Sequence, residues 1–217
     1  MRTAPRTPLR VVVTAGPTRE FLDDVRYLSN VSTGRMGWEI AREARRRGAD
    51  VTLLLGPSDL PPIRGVRTVD VVSTRDLLAA ARRAARGADL VVFAAAPADW
   101  RPASRARGKR SKDGTGRDVV LRLVETPDVA ATLARGKGRR VHVGFALEVQ
   151  RAVPHAQAKL RRKGFDAIVL NGPRNVGRGG GDVWWIVPAG ERVRLPSGDK
   201  RATARAIYER SLALLSR

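Results

Sequence analysis

Short apolar runs alternate with amphipathic stretches along most of the chain. Residues 10–15 (RVVVTA) read as a buried strand, and the polar stretch 16–34 reads as a loop. A helix is expected over 36–47, where Met36, Ile40 and Ala44 recur at nearly fourfold spacing and Gly48 supplies the stop. Residues 51–55 (VTLLL) read as a second buried strand, 56–67 as a Pro/Gly loop and 68–72 as a third strand. A helix follows over 74–86, with Leu77, Leu78 and Ala81 inward and Gly87 ending it. Residues 89–96 (DLVVFAAA) read as a fourth buried strand. Segment 97–116 breaks the rhythm as a long basic loop. The alternation at 118–124 predicts a half-exposed strand, and Pro127 opens a short helix. Strands are expected at 140–146 and 166–171, flanking a helix over 152–163. Residues 177–181 (GRGGG) read as a flexible turn. Residues 183–187 and 192–195 pair as a terminal hairpin, and an amphipathic helix over 200–215 closes the chain. The fold expected is α/β and Rossmann-like: a mostly parallel sheet, helices on both faces and a small C-terminal antiparallel extension. Residues 1–9 read as a flexible tail and 10–217 as one domain.

Composition narrows the class. With 42% hydrophobic and 29% charged residues, the 217-residue chain has material for a core and is neither fibrous nor wholly disordered. No apolar run approaches the ~18 residues of a membrane span, and the basic N-terminus lacks a signal peptide's hydrophobic region. A cytoplasmic protein is expected. The absence of cysteine excludes disulfides, thiolate metal sites and Cys nucleophiles. Charge alters the picture more: 42 basic residues, 36 of them Arg, against 21 acidic residues give +21. Such a field attracts polyanions or a small anionic substrate, or else reflects Arg on solvated faces.

Candidate chemistry clusters after strands, where open parallel sheets bind ligands. Thr14-Ala15-Gly16-Pro17-Thr18 follows the first strand, and Gly16 allows close backbone approach. Ser32, Thr33 and Gly34 precede a helix, as an anion site or as a helix cap. Asp99, in Ala94–Arg101 (AAAPADWR), is placed to hold a cation or a sugar hydroxyl, or to cap its loop. Lys109 and Lys112 sit in the basic loop, as ammonium groups that close over a phosphate or as solvated charges. Phe145 is a core residue or a stacking face, and Asn171 a turn cap or an amide reader. His142 and His155 show no metal-ligand spacing, and His142 reads as a core or edge histidine. The four tryptophans, Trp38, Trp100, Trp184 and Trp185, read as packing residues, at an interface if not in the core.

The run Thr14–Glu20 (TAGPTRE), then Asp23, Val25-Arg26-Tyr27, Ser29-Asn30, Ser32-Thr33-Gly34 and Met36-Gly37, resembles the signature of the phosphopantothenoylcysteine synthetase family. AAAPADWRP at 94–102 is similar to that family's AAAVADWRP-like segment. LRLVETPD at 121–128, Gly144-Phe145-Ala146 with Glu148, Lys159 with Lys163, and 166–171 follow in the family's order. The resemblance spans about residues 10 to 215. It implies a phosphopantothenate–cysteine ligase of coenzyme A biosynthesis. CTP, usual in bacteria, or ATP, frequent in eukaryotes, activates the phosphopantothenate carboxylate as an acyl-nucleotidylate and releases pyrophosphate. The amine of cysteine then forms the amide and releases CMP. Mg2+ is implied as the companion of the nucleotide.

Residue by residue, the resemblance implies catalytic roles for Asn30, which contacts the acyl-nucleotidylate, and Lys109, which stabilises departing pyrophosphate. It implies nucleotide-binding roles for Gly16, Ala95, Asp99, Phe145, Lys159 and Lys163. Arg26, Ser32, Thr33 and Gly34 are implied as substrate-binding, Arg26 across the interface of a homodimer. Metal ligands are left unassigned. In bacteria this synthetase is often fused behind a flavin-dependent decarboxylase. Since nothing precedes residue 10 but a short tail, the decarboxylase is expected as a separate chain, with no flavin in this one. The sequence departs from the family pattern at Pro97 (usually Val), at Val149 (often Thr) and over 172–181.

Two rivals come from other classes. A basic α/β nucleic-acid-binding protein on the same scaffold fits the charge, but only 5% of residues are aromatic, poor material for base stacking. A nicotinamide-dependent reductase would need GxGxxG where the chain has AGPTRE. No membrane partner is expected, and nucleic acid ranks below the small-molecule substrates.

Overall fold

The computed structural model describes residues 7–109, 111, 119–149, 151–175 and 181–216. In chain order the elements are β1 (Arg10–Ala15), β2 (Arg19–Phe21), β3 (Tyr27–Ser29), α1 (Arg35–Arg46), β4 (Asp50–Leu55), β5 (Arg67–Asp70), α2 (Thr74–Ala84), β6 (Leu90–Phe93), β7 (Trp100–Pro102) and β8 (Leu123–Glu125). There follow α3 (Val129–Ala134), β9 (Val141–Leu147), α4 (Ala152–Arg162), β10 (Ala167–Asn171), a 3-10 turn (Pro173–Asn175), β11 (Val183–Ile186), β12 (Arg192–Leu195) and α5 (Lys200–Leu215). Eight strands form one sheet in the order β12-β11-β10-β9-β6-β1-β4-β5. The six strands from β5 to β10 run parallel, and β11 and β12 add an antiparallel edge. The expected Rossmann-like α/β class is the one observed.

The apolar runs become central strands because both faces are covered. α1 and α5 pack on one face through Trp38, Ile40, Ala44, Ala204, Ile207 and Tyr208, against Val11, Val13 and Leu53. α2, α3 and α4 cover the other through Leu77, Ala81, Leu133, Ala156 and Leu160, against Val12, Val91 and Ile168. Alternate side chains of one strand thus feed two separate cores. The chain builds outward from β1 through β4 to β5, then returns past β1 to β6. The strand order therefore reverses between β1 and β6, where ligands of this architecture bind.

Four local expectations change. The stretch 16–34 is not all loop, because β2 and β3 pair as a short hairpin; nor is 97–116, because β7 pairs with β8. β6 stops at Phe93, where the Ala95 amide turns to Thr14 Oγ1, and pairing with the β1 side returns only as an isolated parallel bridge of Ala96 with Pro17, the Ala96 amide on the Gly16 carbonyl. Of the strand expected over 118–124, only its end pairs: β7 offers three residues, so Val119–Arg122 have no ladder beyond one bond from the Ala103 amide to the Arg122 carbonyl. Trp100 is half exposed, so of the core and an interface it is not in the core. Lys112, residue 118 and residues 177–180 of the expected glycine turn lie outside the described residues.

Candidate functional site

The site begins at the β1–β6 reversal. Two loops leave the sheet there and are laced together. The Ala95 amide donates to Thr14 Oγ1 (3.1 Å), the Ala96 amide to the Gly16 carbonyl (2.9 Å) and the Ala98 amide to Thr18 Oγ1 (2.9 Å). Pro97 interrupts this series without loss, since the donors come from its neighbours. Its carbonyl instead accepts from Asn30 Nδ2 at 2.9 Å. Thr18 is buried and also meets the Thr74 hydroxyl at 2.9 Å; Thr126 donates to the Ala98 carbonyl at 2.6 Å. Gly16, Ala95 and Asn30 thus stand around one rigid crossing, with Asp99 following it, exposed.

Gly16 has a left-handed φ of 81°, and a Cβ there would stand 3.1 Å from the Gly56 backbone. The close approach that Gly16 permits is therefore between two chain segments. Gly34 presses on Gly16 in the same way, which sets the N-terminus of α1 against the end of β1. The Ser32 and Thr33 hydroxyls accept from the Gly34 and Arg35 amides at 3.3 and 3.4 Å, which shapes the turn before α1; the N-cap itself is Gly34, with no side-chain cap bond, so the helix-cap reading of Ser32 and Thr33 does not hold. The first-turn amides of α1, which have no intrahelical acceptor, open toward the same edge of the sheet.

The remaining candidates fall into three groups. Phe145 points to the α1/α5 side, beside Met36, Asn171 and Lys200, around a cleft of about 40 Å³. Lys200 is held below the usual lysine range by burial and by Arg35. Lys159 and Lys163 belong to the opposite, α4 side. Burial lowers the Lys159 ammonium's pKa, Lys163 adds to the effect, and Glu148 and Asp99 oppose it. Lys163 Nζ pairs with Asp128 at 2.9 Å. Burial works to raise the Asp128 pKa, but the Ala131 amide and Lys163 prevail and hold it below the usual carboxylate range. A ligand touching both Phe145 and the two lysines must therefore straddle the end of the sheet between β6 and β9.

The third group lies on the β2–β3 hairpin. Arg26 is bonded through Nε (2.9 Å) and its terminal nitrogen to Asp23, whose fully buried carboxylate also accepts the Val25 and Arg26 amides. The loop after β7 docks on this turn. Arg105 and the Gly108 amide each reach Asp24 at 2.8 Å, and the Ala106 amide reaches the Leu22 carbonyl. The Arg105 hydrogen bond and then the Gly108 amide pull the Asp24 pKa down. Lys109 comes next, exposed; among the described residues no hydrogen bond or ion pair engages its ammonium. It is thus carried on an arm shared by two hairpins, while Asn30 sits at the crossing itself.

The sequence motifs include Thr18 and Asp128 but give neither a role of its own. The Thr-Pro-Asp preceding an apolar stretch was the available sign of Asp128, which caps α3 by accepting from Ala131 N at 3.0 Å. Among the described residues no group of three or more His, Asp or Glu side chains gathers as a metal site. The described residues therefore make no protein cage for Mg2+.

Fold and crevice define a Rossmann-like α/β protein whose ligand edge lies at the strand-order reversal. The chain belongs to the DNA/pantothenate metabolism flavoprotein C-terminal domain family, whose model matches residues 7–214. It is 40% identical to the "Coenzyme A biosynthesis bifunctional protein CoaBC" of Vibrio cholerae over 171 residues, 78% of this chain and 43% of that protein. The protein of the same description from Mycobacterium tuberculosis (strain ATCC 25618 / H37Rv) is 38% identical over 224 residues, 95% of this chain and 53% of that protein. The chain spans about half the length of these curated relatives. A crystal structure of the C-terminal domain of a CoaBC protein superposes with a TM-score of 0.82 at 34% identity, covering 96% of this chain and 97% of that one. No helix among the described residues is long and apolar enough to cross a membrane.

Proposed function

We propose that this chain is a phosphopantothenate–cysteine ligase of coenzyme A biosynthesis, acting in the cytoplasm with CTP, supplied as its magnesium salt, as the activating nucleotide. The observation that supports it most is the laced crossing of the β1 and β6 loops, with Asn30 fixed on the Pro97 carbonyl, in a chain of this family. In the first half-step a carboxylate oxygen of phosphopantothenate attacks the α-phosphorus of CTP, and pyrophosphate leaves. In the second, the cysteine amine attacks the acyl carbon, CMP leaves, and the amine's proton passes to solvent or to a phosphate. Two anions must meet, so cations and backbone amides have to offset their repulsion. Asn30 orients the acyl-nucleotidylate and Lys109 moves in with its arm to stabilise the leaving pyrophosphate. Asp99, Phe145, Lys159 and Lys163 hold the nucleotide around the end of β6 and β9, with Gly16 and Ala95 as its floor. Ser32, Thr33, Gly34 and the start of α1 receive a phosphate.

Arg26, fixed by Asp23, serves the substrate across a homodimer interface. A decarboxylase, carried on another chain or on a further part of this one, supplies none of these residues. The deciding experiment measures pyrophosphate release with phosphopantothenate and magnesium, CTP against ATP, with and without cysteine. Release that requires phosphopantothenate, with amide formed once cysteine is added, is the expected result. Absence of release with either nucleotide from folded protein sinks the proposal, and a preference for ATP overturns the nucleotide.

A further inference from the structure

A second cavity is at the other end of the sheet, where β1, β4 and β5 begin. It holds about 330 Å³ between the sheet and the end of α2. That is at the lower bound of small-ligand pockets and about the size of a mononucleotide. Its floor is apolar, with Leu54, Val69 and Ala84 side by side. Its rim carries four guanidinium groups, Arg10, Arg67, Arg83 and Arg86, and one carboxylate, Asp50.

Some of the chain's other arginines meet a carboxylate. Arg35 and Arg42 pair with Glu39, Arg46 and Arg47 with Glu43, and Arg105 with Asp24. Among the described residues none of the four rim guanidiniums has an ion pair or a side-chain hydrogen bond, although Asp50 shares the rim. Four like charges so gathered repel one another until an anion lies between them. Backbone shape supports the arrangement. Gly87, with φ 77°, turns the chain from α2 into β6, and a Cβ on it would come within 2.7 Å of Arg10 Nη1. The Arg10 guanidinium thus lies against Gly87 on the rim.

We propose that this cavity is a second, non-catalytic nucleotide site, taking a nucleoside mono- or diphosphate. A flat base covers the apolar floor, the phosphates lie among the arginines, and Asp50 accepts a hydrogen bond from a base amino group or a ribose hydroxyl. It lies at the amino ends of the strands, so a ligand there does not compete for the crevice at their carboxyl ends.

The test is a titration of the chain followed by backbone amide NMR, with ADP, inorganic pyrophosphate and a short single-stranded RNA as separate probes. Saturable shifts of the Thr52, Val69, Ala84 and Gly87 amides with ADP are expected. In the Arg83→Glu/Arg86→Glu variant the affinity read from those amides falls roughly tenfold or more, while the Gly16, Ala95 and Phe145 amides of the ligand-free variant resonate where they do in the wild-type chain, showing the fold intact. If those amides of the wild-type chain do not move, or move equally in the variant, the site is refuted. Pyrophosphate binding as tightly as ADP refutes the role of the floor. RNA binding that tightens with length makes this end a polyanion surface instead.

Discussion

His142 is fully buried, its ring edge-on to Phe93, and among the described residues neither ring nitrogen has a hydrogen-bond partner. Burial, then Lys137 and Arg140, lower its pKa from 6.5 to about 4. The unfolded chain therefore takes up a proton near pH 6.5 that the folded chain refuses until about pH 4. The stabilisation is whole above that window and is lost as pH falls through it, on the order of 3 kcal/mol in all. Between pH 7 and pH 5 the wild-type chain should lose about 2 kcal/mol more than His142→Leu in urea unfolding. Equal losses would show that His142 does not carry the acid response. The catalytic readings also live at this scale. Asn30→Ala and Lys109→Ala should each lower ligase kcat roughly 100-fold while circular dichroism stays unchanged. Near-normal turnover in both would remove these residues from the mechanism. Asn30 was legible only as part of a motif: nothing in its own neighbourhood announces the bond to Pro97, which lies 67 residues away.

At the scale of elements, the central strands were readable because burial on both faces demands continuous apolar runs, as in Val11–Val13 and Leu90–Phe93. The two hairpins were not, because three-residue strands such as β2 and β7 are too short and too polar to carry a period. The lacing of the two loops was equally invisible, since threonine hydroxyls bind amides brought close only by the parallel pairing of β1 with β6. That lacing gives a prediction about the site as a unit. Thr18→Val keeps the shape but leaves the buried Ala98 amide without its acceptor, so stability should fall by about 1–3 kcal/mol. Because the Ala98 carbonyl and Asn30 hang on the same segment, activity should fall by more than the unfolded fraction explains. A stable variant with full turnover would mean that the crossing only decorates the site. Gly144 makes a parallel point inside β9: a Cβ there would lie 2.1 Å from the Phe165 ring. This glycine of the Gly-Phe-Ala motif seats an aromatic ring of the core, and Gly144→Ala should cost about 1–3 kcal/mol in denaturant unfolding.

For the whole molecule, the sheet and its two cores account for most apolar side chains, and the conspicuous exceptions cluster. Val25, Tyr27 and Val31 on or beside the β2–β3 hairpin, and Trp100, Val120, Leu121 and Leu123 on or beside the β7–β8 hairpin, are all at least 40% exposed. The hairpins are joined through Asp24, Arg105 and Gly108, so they form one arm that carries apolar surface, a β8 edge unpaired among the described residues, and Lys109 together. Free strand edges beside apolar side chains recruit another chain, and a second copy is the partner the proposed role of Arg26 requires. Sedimentation should therefore find a dimer. Val120→Asp with Leu123→Asp should dissociate it, because two carboxylates would have to be buried without partners. Ligase activity should fall in step with dissociation and return at protein concentrations that restore the dimer. A fully active monomer would separate the arm's apolar surface from catalysis and return Arg26 to a purely local role, holding the hairpin turn through Asp23.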